Sequence, residues 1–402
     1  MGTRTRGFAN FIGADGKLQS GSLAAGVGGP AWQSVQTTGF TAVAGRAYPC
    51  NTTSSAFTVT LPATPSAGDE IILLDYAGTF DTNALTISPN GNKIEGGVSN
   101  LALTGEREGV LLVYIDSTQG WLATSGINEG TDALSPLPYS VDFLVVAGGG
   151  SGGSNTGAGG GAGGYRNSYS TETSGGGGSS EASLTFTAGT VYTITVGAGG
   201  ASVNGSLKGI SGVDSSISGT GISTITSIGG GGGGADVVDD TGLSGGSGGG
   251  GSNAAGGSGT ANQGFSGENN ANGGGGGGAG EAGGTDGGAQ GGDGLASLIT
   301  GSSVERAGGG GGRGVDPTPS GGAGGGGQGA GDTGNPTNGT VNTGGGGGGA
   351  RANTASGAGG KGVVILRIPT ANYSGTTTGS PTVTTDGSDT VVVFNDSGSI
   401  TG

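Results

Sequence analysis

Apolar and polar residues alternate most clearly at residues 57–61, where Phe57, Val59 and Leu61 flank Thr58 and Thr60. Period two marks a strand with one buried face. Residues 70–75 (Glu-Ile-Ile-Leu-Leu-Asp) and 110–115 (Val-Leu-Leu-Val-Tyr-Ile) are continuous apolar runs, which predicts strands buried on both faces. Shorter strand signals occur at 84–87 and 121–124. Turn residues separate them: Pro62, Pro65, Ser66-Ala67-Gly68-Asp69 and Pro89-Asn90-Gly91-Asn92. No helical period of useful length is present. The pattern predicts an all-β chain whose first folded part, residues 31–127, is a small β-sandwich or barrel.

The texture changes at residue 141. Val141, Phe143, Val145 and Ala147 alternate with Asp142, Leu144 and Val146, and the strand runs into Gly148. Residues 184–187 and 192–196 flank Ala188-Gly189-Thr190, which predicts a hairpin. The second of these strands leads into Gly197, and the β-rich residues 222–228 lead into six glycines from Gly229. Residues 363–368 and 391–394 are closing strands. Between them stand unbroken glycine runs at 229–234, 273–278, 308–312 and 344–349.

Glycine in a regular element costs roughly 0.5–1 kcal/mol relative to alanine. Six in a row are therefore disordered, or the fold needs backbone without side chains. Apolar strands bracket the tract, so the runs read as ordered. Collagen is excluded because the strict three-residue repeat and its prolines are missing. An extended helix with three residues per turn fits better. It makes no internal hydrogen bonds, so each N–H and C=O needs an outside partner. With hydrogen as every side chain, neighbouring helices approach closely enough to supply those partners. A run of six would span about 19 Å, with the segments between runs looped out at the ends. The expected second part, residues 141–402, is a β domain containing packed polyglycine-type helices. Residues 128–140 read as a linker and residues 1–30 as an anchoring arm or a flexible tail.

Composition narrows the function. Glycine supplies 108 of 402 residues and apolar residues only 31%, too few apolar side chains for one large conventional core. The net charge of −15 argues against nucleic acid as a partner. Histidine is absent, which excludes Ser–His–Asp and Cys–His chemistry and His-ligated zinc. The single cysteine, Cys50, allows no intrachain disulfide and reads as a small buried apolar residue. The opening residues carry two arginines but no apolar h-region, so no signal peptide is expected. No segment has the 18 apolar residues of a membrane span, so no membrane insertion is expected.

Several motifs tempt. Gly-x-Gly-x-x-Gly matches near Gly148 lack a βαβ unit. Residues 291–298 resemble a calcium-binding nonapeptide, but Ala296 stands where the second acidic ligand belongs. Asp236, Asp239 and Asp240 read as a solvated loop. No paired carboxylates and no long parallel β-helix repeat suggest a polysaccharide depolymerase. No catalytic residue, metal or cofactor is expected, and the chain reads as a non-enzyme. Tyr165, Arg166 and Tyr169 read either as a stacking patch, since Tyr and Arg are enriched at hot spots, or as cover for the edge of the glycine lattice. Phe265 stands alone among polar residues, with Asn262 and Gln263 nearby, and is a further contact residue.

The order of these features carries a resemblance. Val141-Asp142-Phe143-Leu144-Val145-Val146-Ala147-Gly148-Gly149-Gly150 is followed by Gly159-Gly160-Gly161-Ala162-Gly163-Gly164-Tyr165. Then come Tyr192-Thr193-Ile194-Thr195-Val196-Gly197-Ala198-Gly199-Gly200 and Gly359-Gly360-Lys361-Gly362-Val363-Val364-Ile365-Leu366-Arg367. This series resembles the glycine-rich tail-fibre and adhesin proteins of tailed bacteriophages. Residues 3–11 are similar to the starts of such proteins, and residues 40–121 to a β domain found upstream in them. The resemblance implies a virion protein, commonly a homotrimer. Arg4, Arg6, Phe8, Phe11 and Ile12 would attach it to other virion proteins. Loops of 141–402, with Phe265, Asn262, Gln263, Tyr165, Arg166 and Tyr169, would meet a bacterial glycan or outer-membrane protein. The alternative is a structural virion protein, such as a capsid spike, decoration or tail accessory, without a receptor.

Overall fold

Short alternating segments build the first unit. The computed structural model describes residues 30–126, 135–236, 240–314, 318–332 and 334–402, and the chain divides into two compact units between Leu137 and Pro138. The arm residues Arg4, Arg6, Phe8, Phe11 and Ile12 lie outside the described residues, as does most of the expected linker. The described residues are all-β apart from one short 3-10 turn, Thr370–Asn372. None of their helices is long and apolar enough to cross a membrane.

The first unit contains β1 (Ala31–Trp32), β2 (Phe40–Thr41), β3 (Arg46–Cys50), β4 (Phe57–Thr60), β5 (Glu70–Asp75), β6 (Leu85–Ser88), β7 (Leu101–Leu103), β8 (Gly109–Asp116), β9 (Gly120–Gly126) and β10 (Ser135–Pro136). Two sheets form, in the orders β1-β3-β5-β8-β9 and β10-β7-β6-β4-β2. From β1 to β6 the chain alternates between the sheets and pairs in parallel within each; β7 to β10 then add antiparallel strands. Nothing in the apolar pattern of residues 31–127 indicates this coil-like winding. Both sheets contribute to one core around Tyr48, Val59, Leu61, Ile71, Leu73, Phe80, Ile87, Leu112 and Trp121.

One expectation is corrected here. Strands β5 and β8 are not buried on both faces. Ile71, Leu73, Val110 and Leu112 point into the core, while Ile72, Leu74, Leu111 and Val113 are only half-buried. A sheet in a two-layer sandwich has one inner face, so burial alternates even where the sequence does not.

The second unit contains β11 (Tyr139–Val146), β12 (Tyr165–Asn167), β13 (Leu184–Phe186), β14 (Val191–Thr195), β15 (Ser215–Gly219), β16 (Ile225–Ser227), β17 (Gly251–Ser252), β18 (Asn269–Asn270), β19 (Leu295–Ser297), β20 (Val304–Arg306), β21 (Val363–Pro369), β22 (Thr377–Thr378), β23 (Thr382–Asp386), β24 (Asp389–Phe394) and β25 (Gly398–Thr401). One main sheet runs β12-β11-β21-β24-β23, with β13 on the first half of β11. The other runs β16-β15-β14-β25-β22. Their shared core includes Phe143, Val145, Phe186, Tyr192, Ile217, Val364, Leu366 and Phe394.

The predicted hairpin at 184–196 is also corrected. Strand β13 pairs with β11 and β14 pairs with β15 and β25, so the Gly189 turn crosses between sheets. Phe186 and Tyr192 stack across that gap, with ring centroids 3.6 Å apart. Strand β11 departs from its expected alternation too. Its Leu144 and Val146 enter a second apolar cluster with Tyr165, Val363, Ile365 and Val391, joined by Ala162, Ala279 and Ala307 from the glycine-rich tract. The main sheet is therefore covered on both faces, by the second sheet on one side and by glycine-rich backbone on the other.

That backbone is a lattice. From Ala147 the N–H groups take three directions in turn. Those of Ala147, Gly150 and Gly153 donate to the carbonyls of Gly164, Gly161 and Ala158. Those of Gly148, Ser151 and Ser154 donate to Val213, Ile210 and Leu207, and those of Gly149 and Gly152 to Gly360 and Gly357. Partners repeat every third residue, as an extended helix with three residues per turn requires.

Residues 157–164 are fully enclosed by other helices. They donate to three neighbours, at residues 344–350, 228–234 and 274–277. They accept from three others, at 147–153, 247–250 and 310–313. Gly160 alone donates to Gly347 O at 2.9 Å and accepts from Gly310 N–H at 2.8 Å. Satisfying backbone groups laterally in six directions leaves no room for side chains. Alanine appears where a methyl meets the sheet, as at Ala162, and serine where a hydroxyl serves as partner. Ser151 and Ser154 accept from the Ile210 and Leu207 N–H groups at 2.8 and 3.0 Å.

Candidate functional site

The lattice has two ends. Residues 148–154 leave the sheets from β11, and residues 157–164 return to β12, so Asn155 and Thr156 turn at the end remote from the sheets. Both adopt positive φ, 64° and 55°. Hydrogen bonds bring other turns to the same end. Asp236 N–H donates to Asn155 O at 3.1 Å, Ser252 Oγ–H to Thr156 O at 2.8 Å and Arg313 N–H to Gly157 O at 2.8 Å. Leu207 pairs with Ser154, and Ala350 with Gly153 and Gly157, which puts residues 201–206 and 351–356 there as well.

A cleft of about 360 Å³ opens among these far-end turns. Asn270, Asn272, Gly288, Ala289, Gln290, Arg313, Gly314, Thr318 and Pro319 line it. Arg313 is the charged group among the described residues that line it. Its guanidinium lies 3.8 Å from the Asp332 carboxylate, and its backbone N–H is locked into the lattice.

Glu268 organises the cleft from beneath. Its Oε2 accepts from Gly275 N–H at 3.1 Å and Ala289 N–H at 2.7 Å, and its Oε1 accepts from Asn270 Nδ2–H at 3.1 Å. One carboxylate thus ties three separate segments together. Ala289 is held at φ 67°, a conformation that a residue with a Cβ rarely adopts. It persists because Glu268 holds its N–H and Gly312 N–H donates to its carbonyl at 2.7 Å.

The contact residues singled out in the sequence lie at the other end, beside the sheets. Arg166, Asn262 and Gln263 line a second cleft of about 530 Å³ with Ser179, Ser180, Glu181 and Ala261. Their polar groups are largely engaged. Arg166 pairs with Glu181, including an Nε–H to Oε1 bond of 2.9 Å, and Gln263 Oε1 accepts from Ile228 N–H at 2.8 Å. Phe265 is half-buried in the lattice, its N–H donating to Gly278 O and its carbonyl accepting from Gly248 N–H.

Tyr165 requires a correction as a contact residue. It is fully buried in the cluster behind the main sheet, where desolvation, and then the Glu172 charge, push its hydroxyl pKa up. Tyr169 is half-buried, its ring 5.1 Å from the Arg367 guanidinium. Arg367 also pairs with Asp386 and Asp389, each at 2.8 Å, and donates to Ile299 O at 3.2 Å. This part of the stacking patch is a structural rivet.

Asn270, Asn272, Gln290 and Arg313 were missed because nothing in a one-dimensional reading shows which ends of the runs meet. The available signal was the abrupt step from glycine to polar residues at each boundary. The acidic groups Glu281, Asp286 and Asp293 come close enough to share a cation. Asp293 Oδ1 is already an acceptor for Ala323 N–H at 2.6 Å. Of the aspartates read as a solvated loop, Asp236 and Asp240 are anchored through their backbone, and Asp239 lies outside the described residues. Cys50 is fully buried, and desolvation followed by the nearby Asp75 charge pushes its thiol up to about 12.

No curated protein matches the chain. The family described as "Glycine-rich domain" matches residues 127–369, well over half of the 402 residues and the span that contains the lattice, and the chain belongs to that family.

Proposed function

We propose that the protein is a virion fibre or adhesin that attaches through its N-terminal arm and meets the bacterial surface with the far-end turns of the glycine lattice. One observation carries this reading: the lattice core excludes side chains, while the polar turns at residues 155–156, 201–206, 270–272 and 351–356 meet at the end remote from the sheets. Turns on such a platform vary without disturbing the packing beneath them, which suits a recognition surface. The reading moves the contact surface from Phe265, Asn262, Gln263 and Arg166 to the turns around Asn155, Asn272, Gln290 and Arg313. It assigns no catalysis, and its receptor is a surface glycan or an outer-membrane protein.

The test is binding of fluorescently labelled chain to a panel of intact bacteria. Binding should be confined to particular strains. Replacing residues 351–356 and 201–206 with glycine–serine turns of equal length should abolish or redirect it. Binding to no strain, or binding indifferent to those turns, would refute the proposal.

A further inference from the structure

The far-end cleft has a chemistry of its own. We infer that it binds a carboxylate-bearing sugar, with Arg313 holding the acid group and the amides of Asn272 and Gln290 holding ring hydroxyls. This rests on the reading of the far end as the recognition surface and adds the ligand class.

Charge comes first. The chain carries −15, yet among the described residues lining this cleft there is one cation and no carboxylate. Glu268 stands behind the wall with both oxygens occupied by N–H donors. A planar guanidinium matches a carboxylate in a two-bond geometry. Asp332 is 3.8 Å from Arg313, beyond ordinary hydrogen-bond length, and its side chain is 59% exposed, so it competes weakly.

Hydroxyl recognition comes second. Asparagine and glutamine amides both donate and accept, as a ring of hydroxyls requires. Asn272 is exposed at the rim, and Gln290 Oε1 accepts from Ser320 Oγ–H at 3.2 Å, leaving its amide N–H₂ to donate. Volume and rigidity agree. About 360 Å³ lies at the small end of ligand pockets, suited to one or two sugar rings. The strained Ala289 and the Glu268 clamp set the walls before a ligand arrives, which lowers the ordering cost of binding. Among the described residues that line the cleft there is no aromatic ring, so polar contacts would carry the selectivity.

The experiment is calorimetric titration of the full chain with three acidic sugars, galacturonic acid, glucuronic acid and N-acetylneuraminic acid. Galactose, glucose and inorganic phosphate serve as comparisons. At least one acidic sugar should bind tenfold or more tighter than both neutral sugars, and phosphate should not displace it at equal concentration. Arg313→Gln should erase that preference without changing the melting profile, and Arg166→Gln, in the other cleft, should leave it intact. If no acidic sugar outbinds the neutral ones, the inference is wrong. Retained preference in Arg313→Gln, or equal displacement by phosphate, also overturns it. Strain-selective binding to bacteria in the face of a negative titration would overturn this inference alone. Sugar binding by a chain that binds no bacterium would count against the adhesin reading instead.

Discussion

Replacing Gly160 with alanine adds one methyl group at the centre of the lattice. A Cβ there would lie 2.6 Å from the Gly150 carbonyl carbon, 2.8 Å from that of Ser151, and closer still to the Gly150 oxygen. All three are backbone atoms, so no flexible side chain can yield. Relief requires residues 157–164 to move away from residues 148–154, which stretches the bond that joins them there, from Gly150 N–H to Gly161 O. Leaving the buried Gly150 N–H and Gly161 carbonyl unsatisfied costs about 1–3 kcal/mol each, and overpacking adds about 1–3 kcal/mol. The total of about 3–9 kcal/mol compares with a typical domain stability of about 5–15 kcal/mol. The matched control is Gly387→Ala, where φ is 61° and a Cβ meets nothing within 4 Å. It should cost only the left-handed conformation, about 1–2 kcal/mol. Trp32 and Trp121 are the two tryptophans and both belong to the first unit, so urea unfolding followed by fluorescence reads that unit. Circular dichroism adds the second. Gly160→Ala should shift the dichroism transition far to lower urea and leave the fluorescence transition in place. A dichroism transition matching that of Gly387→Ala would refute the lattice argument.

Three other outcomes are expected. The Cys50 thiol is pushed up to about 12 from 9.0 when folded, so its contribution to stability is complete below about pH 9 and is lost as pH rises from there towards 12; native protein at pH 8 should not react with Ellman's reagent, while urea-unfolded protein should. Arg367→Met leaves Asp386 and Asp389 without their partner. Because Asp386 is 45% exposed, the loss should be about 1–3 kcal/mol, below the fully buried range, read by urea unfolding of the second unit. Glu268→Gln replaces charge-assisted bonds to Gly275 and Ala289, so amide exchange should quicken at residues 269–272 and 287–290 while β11 and β21 stay protected.

Strand positions were largely legible in the sequence because strands here carry ordinary apolar side chains. Residues 57–60, 70–75, 110–115, 141–146 and 363–368 all fall in strands. Which face each buries was not legible. Ile72 and Leu74 are apolar yet only half-buried, while Leu144 and Val146 are apolar because the lattice covers the second face of the sheet. Strand partners escaped too. A turn such as Gly189 suits a hairpin and a crossing between sheets equally well, and only the Phe186–Tyr192 stack and the pairings of β13 and β14 separate the two. The ordered state of the glycine runs could be argued from the strands at their ends. Their neighbours could not, since a run of hydrogens specifies no partner. The far-end cleft depends on those neighbours and was therefore out of reach.

Amide hydrogen exchange across residues 157–164 tests the central claim, that glycine backbone is itself the core. Protection comparable to β11 and β21 is expected, with Gly160 and Gly161 among the slowest amides of the second unit. Exchange of these glycines at the rate of an unstructured peptide would contradict it.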